Sequence, residues 1–239
     1  MMMKKRNLLT IATTAAVSMA GLTAMNSASA ELAANVGLST IYLWRGQDVS
    51  GGSPQFAGDL TFKDASGLYA GAWISSEANQ AVLDTTVSPP SLTQDGGQEY
   101  DLYAGWAATY AGIGIDASLW NYNYPSDATY DSFGDLSEFV LGLSYGPASF
   151  KWYKNIANTA GSNDYQYFTL GLTIDKFSAL VGTTDDSANS AGEYTHLDLT
   201  YSYNDRLSFT ASTVVDKPDD GSLDGDTLLV IAYKLPISL

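Results

Sequence analysis

The fold is decided by residues 33–76, which read AANVGLSTIYLWRGQDVSGGSPQFAGDLTFKDASGLYAGAWISS. From Asn35 to Arg45 the apolar and aromatic side chains fall on alternate residues, and residues 55–63 repeat this alternation. A period of two is typical of β-strands rather than of helices. The alternation fits a soluble β-sandwich, whose apolar face is buried, and also a membrane barrel, whose apolar face contacts lipid.

The composition favours a membrane or secreted protein. Charged residues make up 15% of the 239 residues, against roughly 25% in soluble domains. The chain is rich in aromatic residues, with 16 Tyr and 5 Trp, and amphipathic rings of this kind are selected at a bilayer interface. Because the chain has no cysteine, disulfides, thiol nucleophiles and thiolate metal sites are excluded.

The N-terminus has the pattern of a cleaved secretory signal peptide over residues 1–30. A basic segment from Lys4 to Arg6 precedes an uncharged apolar core, and the small residues Ala28 and Ala30 form a cleavage site before Glu31. The alternative, a retained membrane anchor, is disfavoured because polar residues interrupt the core. Without this segment, which holds three basic and no acidic residues, the net charge changes from −15 to −18. So acidic a protein is not expected to bind nucleic acid.

The rest of the chain, residues 31–239, predicts an all-β, transmembrane antiparallel β-barrel of about 12 strands. No later apolar segment reaches the length of about 20 residues that a membrane-spanning helix needs, so a spanning chain has to form a closed barrel. Short turns and long polar loops alternate along the sequence, as in outer-membrane barrels with short periplasmic turns and long extracellular loops. The predicted strands cover residues 34–45, 55–63, 67–76, 98–109, 112–122, 135–145, 147–155, 164–174, 177–184, 193–203, 206–215 and 225–237.

The alternation also assigns side chains to the two faces of the barrel. Charged and polar residues in mid-strand are expected to face a wet lumen: Arg45, Asp59, Lys63, Glu99, Asp101, Asp116, Glu138, Lys151, His196 and Asp198. Aromatic residues near strand ends are expected to form girdles at the lipid interface: Tyr42, Trp44, Tyr100, Trp106, Tyr110, Tyr145, Tyr201, Tyr203 and Tyr233. Ordinary β propensity is the alternative explanation for the aromatic residues.

Five short motifs carry a resemblance to a known family: YLWRG at residues 42–46, PQF at 54–56, GLYAGAW at 67–73, EYDLYAGW at 99–106 and YNYP at 122–125. They are similar to the opening strands of the TorF-type family of porin-like proteobacterial outer-membrane proteins. The resemblance implies a barrel and a pore but supplies no solute. In one respect the chain differs from such barrels, which usually end in an aromatic residue that the assembly machinery reads. Here the last residue is Leu239.

Three candidate sites have competing interpretations. Arg45 on the first strand, beside Asp59 on the next, predicts either a charged constriction or a paired network that fills a narrow lumen. His196, the only histidine, suggests a barrel lipase less strongly than a structural hydrogen bond, so no enzyme activity is expected. The acidic loop at residues 216–226 lacks the spacing of a calcium loop and is interpreted as a solvated turn. We therefore predict no metal site and no cofactor.

The sequence as a whole predicts a porin-like channel in the outer membrane of a Gram-negative bacterium. Ions or small hydrophilic solutes would diffuse passively through its acidic lumen. The alternatives are a non-conducting barrel that uses its loops for adhesion or structure, and a secreted sandwich. Expected partners are outer-membrane lipid, lipopolysaccharide, the barrel assembly machinery and periplasmic chaperones. Whether residues 77–97 fold into the pore is left open.

Overall fold

The structure is a computed structural model that describes residues 30–77, 81–84, 91–94, 97–127, 129–159, 161–188, 192–217 and 225–239. The predicted signal peptide lies outside these ranges apart from Ala30. So do much of the segment 77–97 and most of the acidic loop at 216–226. No helix in the described ranges is long and apolar enough to cross a membrane.

Twelve strands form a closed antiparallel barrel, which confirms the predicted fold class. Each strand pairs with the next barrel strand in the chain, and the last strand pairs with the first. The barrel strands are β1 (Glu31–Ser39), β4 (Gln55–Lys63), β5 (Leu68–Glu77), β8 (Gly97–Tyr110), β9 (Ile113–Asn123), β10 (Leu136–Tyr145), β11 (Ala148–Asn158), β12 (Gln166–Ile174), β13 (Phe177–Asp185), β14 (Thr195–Ser202), β15 (Leu207–Asp216) and β16 (Leu228–Ile237). Two small hairpins lie outside this sheet: β2 (Leu43–Trp44) with β3 (Gln47–Asp48), and β6 (Ala81–Asp84) with β7 (Ser91–Gln94).

The connections differ strongly between the two ends of the barrel. Short turns follow β4, β8, β10, β12 and β14, and we call this the turn end. The longer connections follow β1, β5, β9, β11, β13 and β15 at the loop end. Positive φ angles at Ala111, Gly112, Asp175 and Gly146 allow the chain to reverse within these tight turns. The alternation of short and long connections is the one expected from the sequence.

The first strand is shorter than predicted. β1 ends at Ser39, and residues 40–54 leave the barrel wall and fold inward, whereas the sequence predicted a strand up to Arg45. The other eleven predicted strands match the structure to within a few residues at either end. The alternation continues past Ser39 because β2 is itself a strand, although it pairs with β3 and not with the wall.

The outer face of the barrel is a belt of exposed apolar side chains. Leu170 is 63% exposed and Leu229 74% exposed, and similar residues occupy alternate positions along every barrel strand. A soluble protein rarely leaves so large and continuous an apolar surface in water. Lipid on the outside and polar groups in the lumen satisfy this arrangement, as in outer-membrane barrels.

The predicted aromatic girdle has to be corrected at two positions. Tyr42 is buried and Trp44 lies against Arg45, because both belong to the segment that folds inward after Ser39. The remaining seven side chains lie on the outer face, where Tyr201 is half-buried against Phe177. Six of them lie toward the turn end and one toward the loop end: Trp106, Tyr110, Tyr145, Tyr201, Tyr203 and Tyr233, then Tyr100.

Candidate functional site

Residues 40–54, which we call the inner hairpin, occupy the loop-end half of the lumen. β2 and β3 pair through Leu43 with Asp48 and Trp44 with Gln47, so Arg45 and Gly46 form a two-residue turn. Their φ angles are 48° and 80°, as a type I′ hairpin turn requires. Leu43 and Arg45 are buried by the surrounding barrel wall. The tip of the inner hairpin is therefore packed inside the barrel.

Arg45 forms the main contact between the inner hairpin and the wall. Its Nη2 donates to both carboxylate oxygens of Glu138 on β10, at 2.8 and 2.7 Å. Tyr122 donates its hydroxyl to the same carboxylate at 2.8 Å. Burial alone would lower the pKa of Arg45, but the adjacent Glu138 carboxylate raises it well above its usual value. The guanidinium therefore stays charged, and its charge is compensated at short range.

Four aromatic rings surround the guanidinium of Arg45. The Cζ atom lies 4.3 Å from the ring centre of Trp44, its neighbour on the hairpin. Tyr153, Tyr165 and Tyr167 contribute the other three rings from the wall, at 5.0, 5.3 and 4.7 Å. These distances fall within the range of cation–π attraction. Arg45 thus occupies a box of aromatic faces with a carboxylate beside it.

His196 packs against the tip of the inner hairpin at Gly46. A Cβ atom built on Gly46 would lie 2.5 Å from Cγ of His196, so only glycine fits against the ring. His196 is 1% exposed, and its two ring nitrogens contact Asp198 at 2.9 Å and the hydroxyl of Tyr167 at 2.7 Å. Ser212 donates to Asp198 at 2.6 Å. Every polar atom of the imidazole therefore has a partner, and the ring is held in one orientation.

Tyr42 fixes the base of the inner hairpin. Its hydroxyl donates to Glu99 on β8 at 2.8 Å, and Tyr124 donates to the other oxygen of that carboxylate at 2.8 Å. Burial, followed by the negative charge of Glu99, raises the pKa of Tyr42 well above its usual value. The phenol therefore remains a neutral donor. On the opposite side of the hairpin, Tyr194 donates to the backbone oxygen of Arg45 at 2.8 Å.

Two cavities approach the inner hairpin from opposite ends of the barrel. The turn-end cavity, of about 740 Å³, is lined by charged residues that include Lys63, Asp116 and Lys151. The loop-end cavity, of about 880 Å³, is lined among others by Asp127 and Asp186. Both cavities have the same three residues in their walls: Trp44, Arg45 and Tyr122. The inner hairpin therefore lies where the two cavities meet.

The structure places all ten predicted lumen residues inside the barrel, but Arg45 does not lie on the first barrel strand. Asp59 accepts a hydrogen bond from Asn35 at 3.1 Å and does not contact Arg45. The predicted position of Arg45 on the first strand is wrong, because Arg45 belongs to the hairpin turn and not to β1. Four more of the predicted carboxylates each contact a side chain: Glu138 contacts Arg45, Asp198 contacts His196, Glu99 contacts Tyr42 and Asp116 contacts Tyr69.

The tyrosines that contact Arg45 are not among the residues predicted to line the lumen. Tyr153 and Tyr167 alternate with outward-facing residues on β11 and β12, so strand periodicity alone places them in the lumen. The inward fold of residues 40–54 had a weaker signal, a glycine at the second position of a two-residue turn. No group of three or more residues suited to hold a metal ion occurs in the part of the chain that the structure describes.

Comparison with known proteins adds a family to this description. A family model described as a bacterial protein of unknown function (Gcw_chp) matches residues 23–219. The chain belongs to the Gcw_chp family. The finer resemblance of this Gcw_chp protein to the TorF-type family stays a prediction. No curated protein matches the chain.

Several solved outer-membrane proteins are similar to this Gcw_chp protein in structure. The outer-membrane phospholipase dimer of Salmonella typhi with bound calcium has a TM-score of 0.47 at 11% identity, covering 86% of this chain and 90% of that one. The phospholipase A of Escherichia coli has a TM-score of 0.46 at 11% identity, covering 86% and 92%. The KdgM porin has a TM-score of 0.45 at 6% identity, covering 87% and 99%. Likenesses this distant carry no information about activity or solute.

Proposed function

We propose that this Gcw_chp protein is an outer-membrane channel through which ions or small hydrophilic solutes diffuse passively. The observation that carries the proposal is the pair of cavities, each with charged residues in its lining, that meet at Trp44, Arg45 and Tyr122. A polar lumen inside an apolar outer surface is the arrangement of a water-filled barrel. The inner hairpin is then the constriction, which controls what crosses from one cavity to the other.

Cations are the favoured solutes. Three carboxylates, from Asp127, Glu138 and Asp186, line the loop-end cavity, and Arg45 balances only that of Glu138. In a cavity walled by protein, uncompensated charge raises the local concentration of ions of opposite sign. The expected partners remain lipid, lipopolysaccharide and the assembly machinery, since an apolar belt needs lipid around it.

The burial of the inner hairpin favours a second candidate, a sealed barrel that conducts nothing. Leu43 and Ser50 are completely or almost completely buried, as in a packed core and not as in a mobile loop. Small barrels are often filled by side chains in this way. Both candidates are non-enzymatic roles, as expected from the sequence. Within the described ranges Ser212 donates to Asp198 and not to His196, so this imidazole does not activate a serine.

Planar-bilayer recording separates the two candidates. The protein is purified in detergent from cells that express the full chain, and its folding is checked by heat-dependent migration on a gel. Discrete current steps with a cation-favouring reversal potential under a salt gradient are expected. The double substitution Asp127→Asn and Asp186→Asn should reduce this cation preference. The control Asp205→Asn, at the turn end, should leave it unchanged. A silent bilayer with folded protein would favour the sealed barrel, and an anion preference would exclude the acidic-lumen explanation.

A further inference from the structure

The site that Arg45 occupies is built almost entirely by the barrel wall. Glu138 lies on β10, Tyr153 on β11 and Tyr167 on β12, and Tyr165 directly precedes β12. The backbone oxygen of Tyr165 accepts a bond from the amide of Asn155 at 3.1 Å, which ties it to the wall. These four residues, which we call the guanidinium site, therefore remain in place if the inner hairpin moves away.

The guanidinium site has the chemistry to recognise a free guanidinium group. A guanidinium is planar and weakly hydrated, so its faces stack on aromatic rings while its N–H groups point to a carboxylate. Glu138 offers both oxygens, and the tyrosines offer three faces at 4.7–5.3 Å from the Arg45 carbon. A compact ammonium would use the charge of Glu138 but match the ring faces less well.

The guanidinium site also lies between the two cavities. Glu138 and Tyr165 line the loop-end cavity, whereas Tyr153 and Tyr167 line the turn-end cavity. A solute that enters from the loop end passes Asp127 and Asp186, which attract cations, before it reaches Glu138. The site is thus placed where a passing cation would meet it.

We propose that Glu138, Tyr153, Tyr165 and Tyr167 form a binding site for guanidinium-bearing solutes, and that Arg45 is a tethered competitor for this site. A bound solute displaces Arg45, the inner hairpin loses its main contact with the wall, and the lumen widens. The widening of the lumen rests on the proposed channel function, whereas binding at the guanidinium site does not. The site would favour solutes with a guanidinium group over simple ammonium ions.

Tethering sets the concentration at which a solute can compete. Arg45 is held by a short connection whose ends, Ser39 and Gln55, pair across β1 and β4. A short tether gives an effective concentration in the millimolar range or above. A free solute with the same intrinsic affinity as Arg45 therefore has to reach at least about millimolar concentrations in the loop-end cavity to displace Arg45 from the wild-type barrel.

Binding is tested first in detergent with Arg45→Ala, which empties the site, and methylguanidinium chloride as the probe. Isothermal titration should show binding to Arg45→Ala and at least about tenfold weaker binding to Arg45→Ala with Glu138→Gln, because a charged hydrogen-bond acceptor is lost. Methylammonium chloride at the same ionic strength should bind more weakly than methylguanidinium. Equal affinities for the two salts, or no effect of Glu138→Gln on the affinity for methylguanidinium, would overturn the site.

A second variant tests the guanidinium site if Arg45→Ala does not fold. If Arg45→Ala does not show heat-dependent migration on a gel, Arg45→Lys keeps the positive charge but not the planar fork. Methylguanidinium should raise the melting temperature of Arg45→Lys more than that of the wild type, in which Arg45 already fills the site. An equal rise in both proteins would count against a shared site.

Displacement is tested in planar bilayers with methylguanidinium on the loop side. In the wild type it should increase the open fraction, because it releases the inner hairpin. In Arg45→Ala it should decrease the current, because it now only occupies an open lumen. The same sign of effect in both proteins would overturn the competition. If neither protein conducts, the proposed channel fails, and the titrations still decide whether the site exists.

Discussion

In the loop-end half of the lumen, carboxylates contact side chains of an inserted loop, whereas in the turn-end half they contact side chains of other barrel strands. Glu138 and Glu99 bind Arg45 and Tyr42 of the inner hairpin. Asp116 on β9, by contrast, accepts from Tyr69 on β5 at 2.9 Å. Contacts between wall residues cannot separate without opening the barrel. Contacts to the inner hairpin are all lost together if the hairpin moves away from the wall. The loop-end half is therefore the part of the lumen that can change.

Removing the inner hairpin should have the largest effect. Because Ser39 and Gln55 are paired, a linker of a few Gly and Ser residues can replace residues 41–53 without changing the register of β1 and β4. The two cavities would then join, and single-channel conductance should rise several-fold in planar bilayers.

A matched control replaces residues 131–134, in the connection between β9 and β10 and outside the linings of both cavities, with the same linker. This variant should conduct like the wild type. If both replacements leave the conductance unchanged, the inner hairpin is not the constriction.

Two glycines provide a sharper comparison with a smaller expected effect. Gly46 and Gly52 have almost the same φ, +80° and +81°, so an alanine pays a similar backbone cost of about 1–2 kcal/mol at either position. Only at Gly46 would the new Cβ collide with His196, because nothing lies within 4 Å of it at Gly52. Gly46→Ala should therefore displace the tip of the inner hairpin, and Gly52→Ala should not.

Trypsin digestion of the folded protein measures this displacement. Arg45 is 6% exposed, so the bond after it should resist cleavage in the wild type and in Gly52→Ala. Gly46→Ala should be cut there. Equal resistance of the two alanine variants would mean that the wall around His196 yields to the added methyl group.

The smallest effect is expected from removing a single hydroxyl group. Tyr42→Phe and Tyr69→Phe each delete a donor to a buried or half-buried carboxylate, which costs about 1–3 kcal/mol of folding free energy. Both should lower the melting temperature. Only Tyr42→Phe should also speed trypsin cleavage after Arg45, since Tyr69 has no role in seating the inner hairpin. Faster cleavage in Tyr69→Phe would show that the two halves of the lumen are coupled.

Most of the wall could be predicted from the sequence because a membrane barrel imposes one strong rule. Lipid outside and water inside force a period of two on every barrel strand, so the predicted and observed barrel strands agree from β4 onward. The same rule placed Glu99, Glu138 and His196 in the lumen.

The inner hairpin could not be predicted because a strand inside the lumen obeys the same period of two. Tyr42 and Trp44 alternate with polar residues as lipid-facing residues would, yet they face protein. The pairing of Arg45 with Glu138 depends on a separation of 93 residues, which no local pattern encodes. The guanidinium site is therefore formed by the closed barrel and not by any one segment.

The root of the inner hairpin lies at the seam where the barrel closes. The amide of Thr40 donates to the oxygen of Ile231 at 3.0 Å, and the amide of Ile231 donates to the hydroxyl of Thr40, across 191 residues of sequence. Contacts this distant in sequence form late in folding, because a long loop has to close first. This one anchor of the inner hairpin thus forms only when the last strand joins the first. Until that moment the root of the inner hairpin lacks these two hydrogen bonds, so closure of the barrel wall and the final position of the segment in the lumen are coupled.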